Sequence, residues 1–336
     1  MKNSLQLLAL DAGGTSTRAV LLDLSGHCLG YGRSGPGNPI SSGIEKASAS
    51  QLEAASQAIQ ASGQEKAEIS TVTIAMAGGA TVSVNKTLQQ QFSHRNLGQN
   101  MVIESDLLAT FFSGNHHRSG YAMVAGTGAV CARIVDYRIH QVVDGLGWLL
   151  GDEGSGFWIG QHVARAALAS MDGRGAPTSL AELLLDKVAI TAPVARIEGR
   201  PGQLQALITA LYRLRPIDLA TLAPLAFQAA AEGDDVARQI LAEAGAALVH
   251  SLGALEGPSD RKGPGAGDTL VLGGSILGLG SPVATAVEQA VAGATVVRVE
   301  DGLAGAALLA LRTAGVEVDL QVFERIANSL AALRGV

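Results

Sequence analysis

The stretch Leu7–Asp23 reads LLALDAGGTSTRAVLLD, and the fold follows from it. Two apolar runs, Leu7–Leu10 and Ala19–Leu22, flank a glycine turn, which predicts a β-hairpin. The glycines let backbone N–H groups point into one concavity that can hold phosphate oxygens. Asp11, at the end of the first strand, could then hold a magnesium ion through water. The alternative interpretation is an ordinary hairpin turn whose polar residues face solvent.

Length and composition indicate a folded protein with two domains. The chain has 336 residues, of which 47% are hydrophobic and 16% charged, so a disordered chain is excluded. A net charge of −6 argues against nucleic acid or an anionic membrane as the main partner. Cys28 and Cys131 are far apart and are expected to be buried and reduced. No signal peptide or membrane-spanning run is evident, which predicts a cytoplasmic protein.

The order of predicted elements suggests two similar α/β halves. The first half continues with a strand at His27–Arg33, a helix near 43–61, and strands at Val72–Met76 and Met101–Ile103. The second begins with a strand at Tyr121–Ala125, a Gly-Thr-Gly turn and two further strands, which repeats the layout of the N-terminus. A long helical region follows from about 153 to 255. Two such halves would face each other across a cleft.

Three glycine-rich turns each follow an apolar strand, where α/β sheets place their ligands. They lie at Asp11–Thr17, Ala125–Gly128 and Gly273–Ser275, and two of them carry threonine. Any one of them alone is a weak signal, because glycine after a strand is usually only a turn. Three turns at these separations favour a shared ligand.

These motifs carry a resemblance to a known family. The segments LDAGGTSTR, ESD at 104–106, VAGTGAV, GDEGSGFWIG and VLGGS resemble the sugar-kinase, actin and heat-shock-protein superfamily. Within it, they are most similar to the N-acetylglucosamine/glucosamine kinase group of the BadF/BadG/BcrA/BcrD ATPase family. The similarity runs from Leu7 to about Ala314, and Gly151–Gly156 is its most specific motif.

The resemblance implies an α/β fold with two actin-like (ribonuclease H-like) domains around a cleft that holds ATP and magnesium. The N-terminal domain is expected to comprise residues 1–117 and 317–336. The C-terminal domain is expected to comprise residues 118–316 with a helical insertion, and the hinge to lie near Gly114–Gly120. The resemblance also implies a homodimer.

Asp106 is the candidate catalytic residue. Phosphoryl transfer needs a hydroxyl in line with the γ-phosphate, and a carboxylate can accept its proton. The resemblance places the family's general base at this aspartate, which is predicted to end a strand in the segment ESD. The alternative role is a helix N-cap before the segment LLATFF.

The resemblance also implies the nucleotide contacts. Asp11 supports the magnesium ion, while Thr127 has an alternative role as a turn hydroxyl, and Gly273 and Gly274 as a helix-entry turn. The residues expected to contact ATP and its phosphates are Gly13, Gly14, Thr15, Ser16, Thr17, Gly126, Thr127, Gly128, Gly273, Gly274 and Ser275.

The sugar contacts are expected on both sides of the cleft. Asn38 offers an amide suited to paired ring hydroxyls, although a Gly-Asn-Pro loop can also use it to shape a turn. Asp152 and Glu153 have the alternative role of capping the following helix. The residues expected to contact the sugar are Asn38, Gly78, Gly79, Asp106, Asp144, Gly145, Asp152 and Glu153.

The segment 143–148 departs from the family pattern. Relatives that act on the N-acetylated sugar often carry Cys-Gly-Gly-Trp-Gly, whereas this chain has Val-Asp-Gly-Leu-Gly, with Trp148 two positions onward. Asp144 adds a carboxylate with which a free 2-ammonium group would form a charge-assisted hydrogen bond. A solvated aspartate at a strand end is the alternative. The departure predicts glucosamine in preference to N-acetylglucosamine.

The predicted function is therefore transfer of the ATP γ-phosphate to the C6 hydroxyl of glucosamine, with N-acetylglucosamine as the alternative substrate. An activator ATPase of the same fold would need iron–sulfur cysteines, which Cys28 and Cys131 are poorly placed to supply. A sugar-responsive repressor would need a DNA-binding helix-turn-helix, for which the chain before Leu7 leaves no room.

Overall fold

A computed structural model describes residues 5–64, 68–77, 82–97, 100–191, 195–197, 199–258 and 261–335. Within these residues the chain forms two five-stranded sheets flanked by helices. Over the same residues, no helix combines the length and apolar character needed to cross a membrane.

The first sheet contains the hairpin predicted from the opening stretch. Its strands are β1 (Gln6–Ala12), β2 (Thr17–Asp23), β3 (Cys28–Ser34), β4 (Ile69–Ala75) and β5 (Met101–Glu104). The order is β3-β2-β1-β4-β5, with β1, β2 and β3 antiparallel and β4 and β5 parallel to β1. Its helices are α1 (Pro39–Ser42), α2 (Ile44–Ala61), α3 (Val82–Ser93) and α4 (Asp106–Gly114).

Glycines in β3 allow helix α2 to pack directly on the sheet. A Cβ atom at Gly30 would lie 2.1 Å from the carbonyl oxygen of Ala58, and one at Gly32 would lie 2.1 Å from that of Ala54. A side chain at either position would push the helix away, because interiors are close-packed. The abundance of glycine and alanine thus serves close helix–sheet contact.

The second sheet repeats the order of the first. Its strands are β6 (Gly120–Ala125), β7 (Ala129–Val135), β8 (Arg138–Asp144), β11 (Thr269–Gly273) and β12 (Thr295–Arg298), in the order β12-β11-β6-β7-β8. Strands β6, β7 and β8 are antiparallel, and β11 and β12 run parallel to β6. The predicted architectural repeat is confirmed, because both sheets consist of an antiparallel meander followed by two parallel strands.

Most remaining elements are helices. Between β8 and β11 lie α5 (Gly156–Asp172), α6 (Leu180–Lys187), β9 (Arg196–Ile197), β10 (Arg200–Pro201), α7 (Gly202–Leu211), a 3₁₀ helix (Pro216–Leu222), α8 (Ala223–Ala231) and α9 (Asp235–Gly253). A 3₁₀ turn (Ser275–Leu277), α10 (Pro282–Ala290), α11 (Leu303–Thr313) and α12 (Leu320–Arg334) follow β11.

Two helices each pack on the sheet opposite to the one that precedes them in the chain. Helix α4 leaves the first sheet but packs on β6 and β11 of the second, while α11 leaves the second sheet and packs on β1 and β4 of the first. The two helices cross in close contact, and one buried cluster joins residues of both sheets. The last helix, α12, packs on β3, where the Ser329 hydroxyl accepts from the Cys28 backbone N–H at 3.0 Å.

Both cysteines lie in the interior. Cys28 and Cys131 are unpaired and buried, in the first and second sheets respectively. Burial raises the pKa of the Cys28 thiol to about 11 and that of Cys131 to about 12. A protonated, buried thiol behaves as a small apolar side chain, as the sequence predicted.

Candidate active site

The parallel strands of the first sheet bring Asp11 and Asp106 to one edge. Asp11 lies opposite Ala75 of β4, and Ala75 lies opposite Glu104 of β5. Asp106 lies two residues after Glu104. Its charge raises the pKa of Asp11, although burial and the charge of Asp301 raise that pKa more. The two carboxylates therefore share the carboxyl edge of the sheet, where α/β folds bind ligands.

Asp106 opens helix α4 and does not cap it. Strand β5 ends at Glu104, and Ser105 is the N-cap, its hydroxyl accepting from the Leu107 N–H at 3.2 Å. The interpretation of Asp106 as a helix N-cap is therefore wrong. Asp106 is half-buried, and removal from solvent raises the pKa of its carboxyl even though hydrogen bonds from Leu107 and Ser105 lower it. A carboxylate with a raised pKa is a stronger proton acceptor.

Asp11 belongs to a partly buried series of alternating charges that links the two sheets. Arg18 lies 3.7 Å from the Asp11 carboxylate and 3.2 Å from that of Asp301, and Arg334 of α12 lies 3.0 Å from Asp301. The backbone N–H of Gly302 donates to Asp11 Oδ2 at 3.0 Å. Asp301 and Gly302 follow β12 of the second sheet, so these contacts fix Asp11 against the C-terminal half.

The surroundings of Asp11 fit a cation beside it. Burial and the neighbouring Asp301 raise the pKa of Asp11 to about 7, despite the Gly302 and Arg18 contacts. Within the described ranges, no group of three or more His, Cys, Asp or Glu side chains could hold a metal ion. Magnesium bound together with phosphates uses only one or two carboxylates and keeps several waters. Asp11 thus suits a magnesium–phosphate complex but not a metal site made of protein ligands alone.

The raised pKa of Asp11 predicts how pH affects an Asp11→Asn variant. The folded protein holds the Asp11 proton more tightly than the unfolded chain does, so the native protein loses stability as pH rises between about 4 and 7. Asparagine removes this loss. We therefore compare the free energy of unfolding of the variant with that of the native protein at each pH. The difference, variant minus native, should be larger at pH 8 than at pH 5 by on the order of 2–3 kcal/mol. Urea unfolding at both pH values measures it, and equal gains at the two would refute the expectation.

The first glycine turn lies against the Asn38 loop. The backbone N–H groups of Gly37 and Asn38 donate to the carbonyl of Gly13 at 3.0 and 3.2 Å. Thr17 is buried, and its hydroxyl donates to the carbonyl of Gly35 at 2.9 Å, so it joins the turn to this loop. Asn38 Oδ1 accepts from the Ile40 N–H at 2.9 Å and caps α1, which is its turn-shaping role. Asn38 is thereby held beside the first turn.

The second glycine turn adjoins the start of helix α5. The N–H of Gly156 donates to the carbonyl of Gly126 at 2.7 Å, and that of Phe157 donates to the carbonyl of Thr127 at 3.1 Å. A Cβ atom at Gly128 would lie 2.7 Å from the Asp152 carboxylate, so a side chain there would require that carboxylate to move. Asp152, predicted to bind sugar, therefore lies directly beside a turn predicted to bind phosphate.

Asp144 organises the loop that carries Asp152 and Glu153. Its Oδ1 accepts from the Asp152 N–H at 2.7 Å, and its Oδ2 accepts from the Glu153 N–H at 2.9 Å. Gly145 donates to the carbonyl of Ala129 at 3.0 Å, which holds the loop to β7. Helix α5 is capped by Ser155, so the predicted capping role of Asp152 and Glu153 is wrong.

The third turn lies beside the second at the carboxyl edge of the second sheet. Gly274 has φ of +92°, and a Cβ atom there would lie 2.3 Å from the carbonyl oxygen of Ala125. A cavity of about 390 Å³ opens where these turns meet. It is lined by Gly126, Thr127, Gly156, Ala220, Ala223, Pro224, Phe227, Ser275, Ile276, Gly278, Leu279, Gly280 and Ser281.

A larger cavity, of about 530 Å³, lies between α5 and α9. His162, Arg165 and Gln239 are among the residues that line it. It contains none of the residues predicted to bind ATP or sugar. The smaller cavity is therefore the candidate nucleotide site, because it continues from two of the glycine turns.

Comparison with known proteins identifies the family of this chain. The sequence model of the BadF/BadG/BcrA/BcrD ATPase family matches residues 8–310. The chain belongs to this family.

Three similar proteins illustrate the membership. An N-acetyl-D-glucosamine kinase of Dictyostelium discoideum is 28% identical over 253 residues, covering 72% of this chain and 76% of the relative. An N-acetylmuramic acid/N-acetylglucosamine kinase of Clostridium acetobutylicum is 27% identical over 252 residues, covering 74% and 78%. A crystal structure from Chromobacterium violaceum, provisionally described as an N-acetylglucosamine kinase, has a TM-score of 0.69 at 25% identity and covers 91% and 99%.

In this member of the BadF/BadG/BcrA/BcrD ATPase family, the predicted residues form two groups. Asp11, the first turn, Asn38 and Asp106 lie at the edge of the first sheet. The second and third turns, together with the loop carrying Asp144, Gly145, Asp152 and Glu153, lie at the edge of the second. No hydrogen bond joins the first turn to the second across the described residues. Gly78 and Gly79 lie outside those residues.

Sequence reasoning missed two features of the site. Arg18 stood inside the LDAGGTSTR motif but received no role, although it bridges Asp11 and Asp301. Its position could have suggested a role, because Arg18 is a basic residue directly after a turn predicted to bind phosphate. The apolar wall of the cavity, which includes Phe227 and Leu279, had no such signal, because nothing local relates α8 to the segment after β11.

Proposed function

We propose that this protein is an ATP-dependent kinase that phosphorylates an amino sugar on its C6 hydroxyl. The observation that carries the proposal is the half-buried Asp106, which shares the carboxyl edge of the first sheet with Asp11 and the first glycine turn. Both sequence relatives described above are named as kinases of amino sugars, which supports this substrate class.

In the proposed reaction, Asp106 accepts the proton of the sugar hydroxyl. The hydroxyl oxygen forms a bond to the γ-phosphorus, and the bond from that phosphorus to the β–γ bridging oxygen breaks, so ADP leaves. Asp106 must be ionised to act, and burial raises the pKa of its carboxyl above the usual range, which makes the ionised form a stronger proton acceptor. Its backbone is held at the first position of α4 by the Ser105 cap.

The glycine turns are proposed to surround the phosphates. The N–H groups of Gly13 and Gly126 already donate to the carbonyls of Ser16 and Gly128, so the other N–H groups of the two turns are the proposed phosphate donors. Magnesium held near Asp11 would neutralise charge on the phosphates. Arg18 and Gly302 hold the Asp11 carboxylate in place by their contacts with it.

The sugar is proposed to lie between the Asn38 loop and the loop carrying Asp152. Asn38 is fixed through its Oδ1, so its amide group points in a set direction. Burial raises the pKa of the Asp152 carboxyl, and the Ala129 N–H opposes that change. Gly145 and Glu153 are proposed to contact the sugar from the same loop as Asp152. The Gly145 N–H holds this loop to β7, and the Glu153 N–H donates to Asp144.

We propose that the sugar carries an N-acetyl group at C2, as in N-acetylglucosamine. A free amine at C2, as in glucosamine, is the second candidate. Both oxygens of Asp144 accept backbone N–H groups, which gives this carboxylate a role other than binding an ammonium group. Leu146, where the family pattern has tryptophan, is 65% exposed and offers an apolar surface to an acetyl group.

An Asp144→Asn variant separates these two substrates. If Asp144 only organises its loop, kcat/KM for glucosamine and for N-acetylglucosamine should fall by a similar factor, roughly tenfold for the loss of one charged hydrogen bond. If the carboxylate binds a 2-ammonium group, the value for glucosamine should fall much further than that for N-acetylglucosamine. Steady-state kinetics with both sugars measures the ratio.

A coupled assay for ADP tests the function as a whole. Purified protein with ATP and magnesium would be given glucosamine, N-acetylglucosamine, N-acetylmuramic acid and glucose in turn. We expect ADP release that depends on an amino sugar, with NMR locating the phosphate on C6. ATP hydrolysis without sugar phosphorylation would instead indicate an activator-type ATPase.

A further inference from the structure

The outer part of the candidate nucleotide cavity is apolar. One wall consists of Ala220, Ala223, Pro224 and Phe227, from the 3₁₀ helix and the start of α8. A second wall is formed by the segment 278–280, whose Leu279 is 93% exposed. Phe227 is half-buried and packs on the core of the C-terminal half. These side chains carry no hydrogen-bonding group.

Two polar groups that border this outer part, the Ser281 hydroxyl and the Gly278 carbonyl, are already paired. The Ser281 hydroxyl donates to the carbonyl of Ile276 at 2.6 Å and accepts from the Ala284 N–H at 3.3 Å. The carbonyl of Gly278 accepts from the Ser281 N–H at 3.1 Å and from Arg298 at 3.3 Å. Thr127 and Ser275, the other hydroxyl-bearing residues of the cavity, belong to the two glycine turns that form its inner end.

This arrangement bears on which nucleotide the kinase accepts. Adenine and guanine differ in the donor and acceptor groups on their edges, not in their flat faces. A site that forms hydrogen bonds to such groups can reject the wrong ligand by about 10⁴-fold, whereas an apolar pocket discriminates by only about 10²-fold or less. Stacking on an aromatic ring tolerates any base.

We propose that Phe227 and Leu279 hold the nucleotide base by apolar contact without reading its edge, so that the kinase uses GTP and ITP nearly as well as ATP. The proposal rests on the proposed function, because it places the base in the outer part of the cavity with the phosphates at the glycine turns. Pyrimidine nucleotides are expected to bind more weakly, because their bases offer less surface to the two walls.

The first test compares kcat/KM for ATP, GTP and ITP at saturating amino sugar. Values within about tenfold of one another are expected for an apolar base site. A preference for ATP above about 100-fold would overturn the proposal and point to readout by backbone groups. Transfer from no nucleotide would contradict the proposed function itself, which is a separate outcome.

The second test truncates the aromatic wall. Phe227→Ala should raise KM for ATP and for GTP by the same factor, roughly tenfold, with KM for the sugar unchanged. Tyr212→Ala is the matched control, because Tyr212 is an aromatic residue of the same insertion that is 87% exposed and outside the cavity. It should leave both nucleotide KM values unchanged.

A further variant covers the case in which Phe227→Ala fails to fold. Leu279→Ala removes an exposed side chain and should not disturb the core. We expect it to raise both nucleotide KM values by a common factor. Unchanged KM values in the folded variants, or a change for ATP alone, would show that these side chains do not hold the base as proposed.

Discussion

Replacing Asp106 by asparagine is expected to lower kcat by about a thousandfold, because a positioned general base contributes about 10²–10⁴ to the rate. Asparagine keeps the shape of the side chain but cannot accept the hydroxyl proton. The Kd for the sugar should change little, since the amide can still accept a hydrogen bond from the same hydroxyl. The coupled ADP assay measures kcat, and calorimetry measures sugar binding.

Asp235→Asn provides a control at the same position of a helix. Asp235 is the first residue of α9 after its Asp234 cap, as Asp106 is the first residue of α4 after Ser105. Its side chain is 93% exposed and distant from the glycine turns in sequence. This variant should keep full kcat. Turnover retained in Asp106→Asn would remove Asp106 from the catalytic role.

The second large effect is expected on stability, at the crossing of α4 and α11. A Cβ atom at Gly305 would lie 1.9 Å from the carbonyl oxygen of Ala109 and 2.7 Å from the backbone nitrogen of Ser113. Gly305→Ala should therefore force the helices apart, although alanine favours the helix itself. We expect a net loss of about 2 kcal/mol in the free energy of unfolding, in the range found for overpacked cores. Urea unfolding measures it.

Gly253→Ala is the matched control, because Gly253 is also helical and no atom beyond the neighbouring backbone of its own helix lies within 4 Å of its Cβ position. There the change should stabilise the protein by about 0.5 kcal/mol, through the reduced entropy of the unfolded chain. If both variants gained stability alike, the close approach of α4 and α11 would not limit the size of residue 305.

Individual elements show what could be predicted from local sequence. The apolar runs around the first turn became β1 and β2, and the second Gly-Thr-Gly turn fell between β6 and β7. Boundaries were less accurate, since β5 ends at Glu104 and Asp106 already belongs to α4. The capping roles given to Asp106, Asp152 and Glu153 were wrong because Ser105 and Ser155, one residue before each helix, perform them.

The sequence by itself determined the strand–turn units, the residues offered at each turn and the burial of both cysteines. These properties depend on backbone sterics and on the apolar pattern within a few residues. Only the tertiary structure decided that α4 and α11 pack on each other's sheets, that Arg18 joins Asp11 to Asp301, and that α8 and Leu279 line one cavity. Such contacts join segments that are far apart in the chain, so they depend on how whole surfaces pack together. Neither segment alone carries a sequence pattern that predicts them.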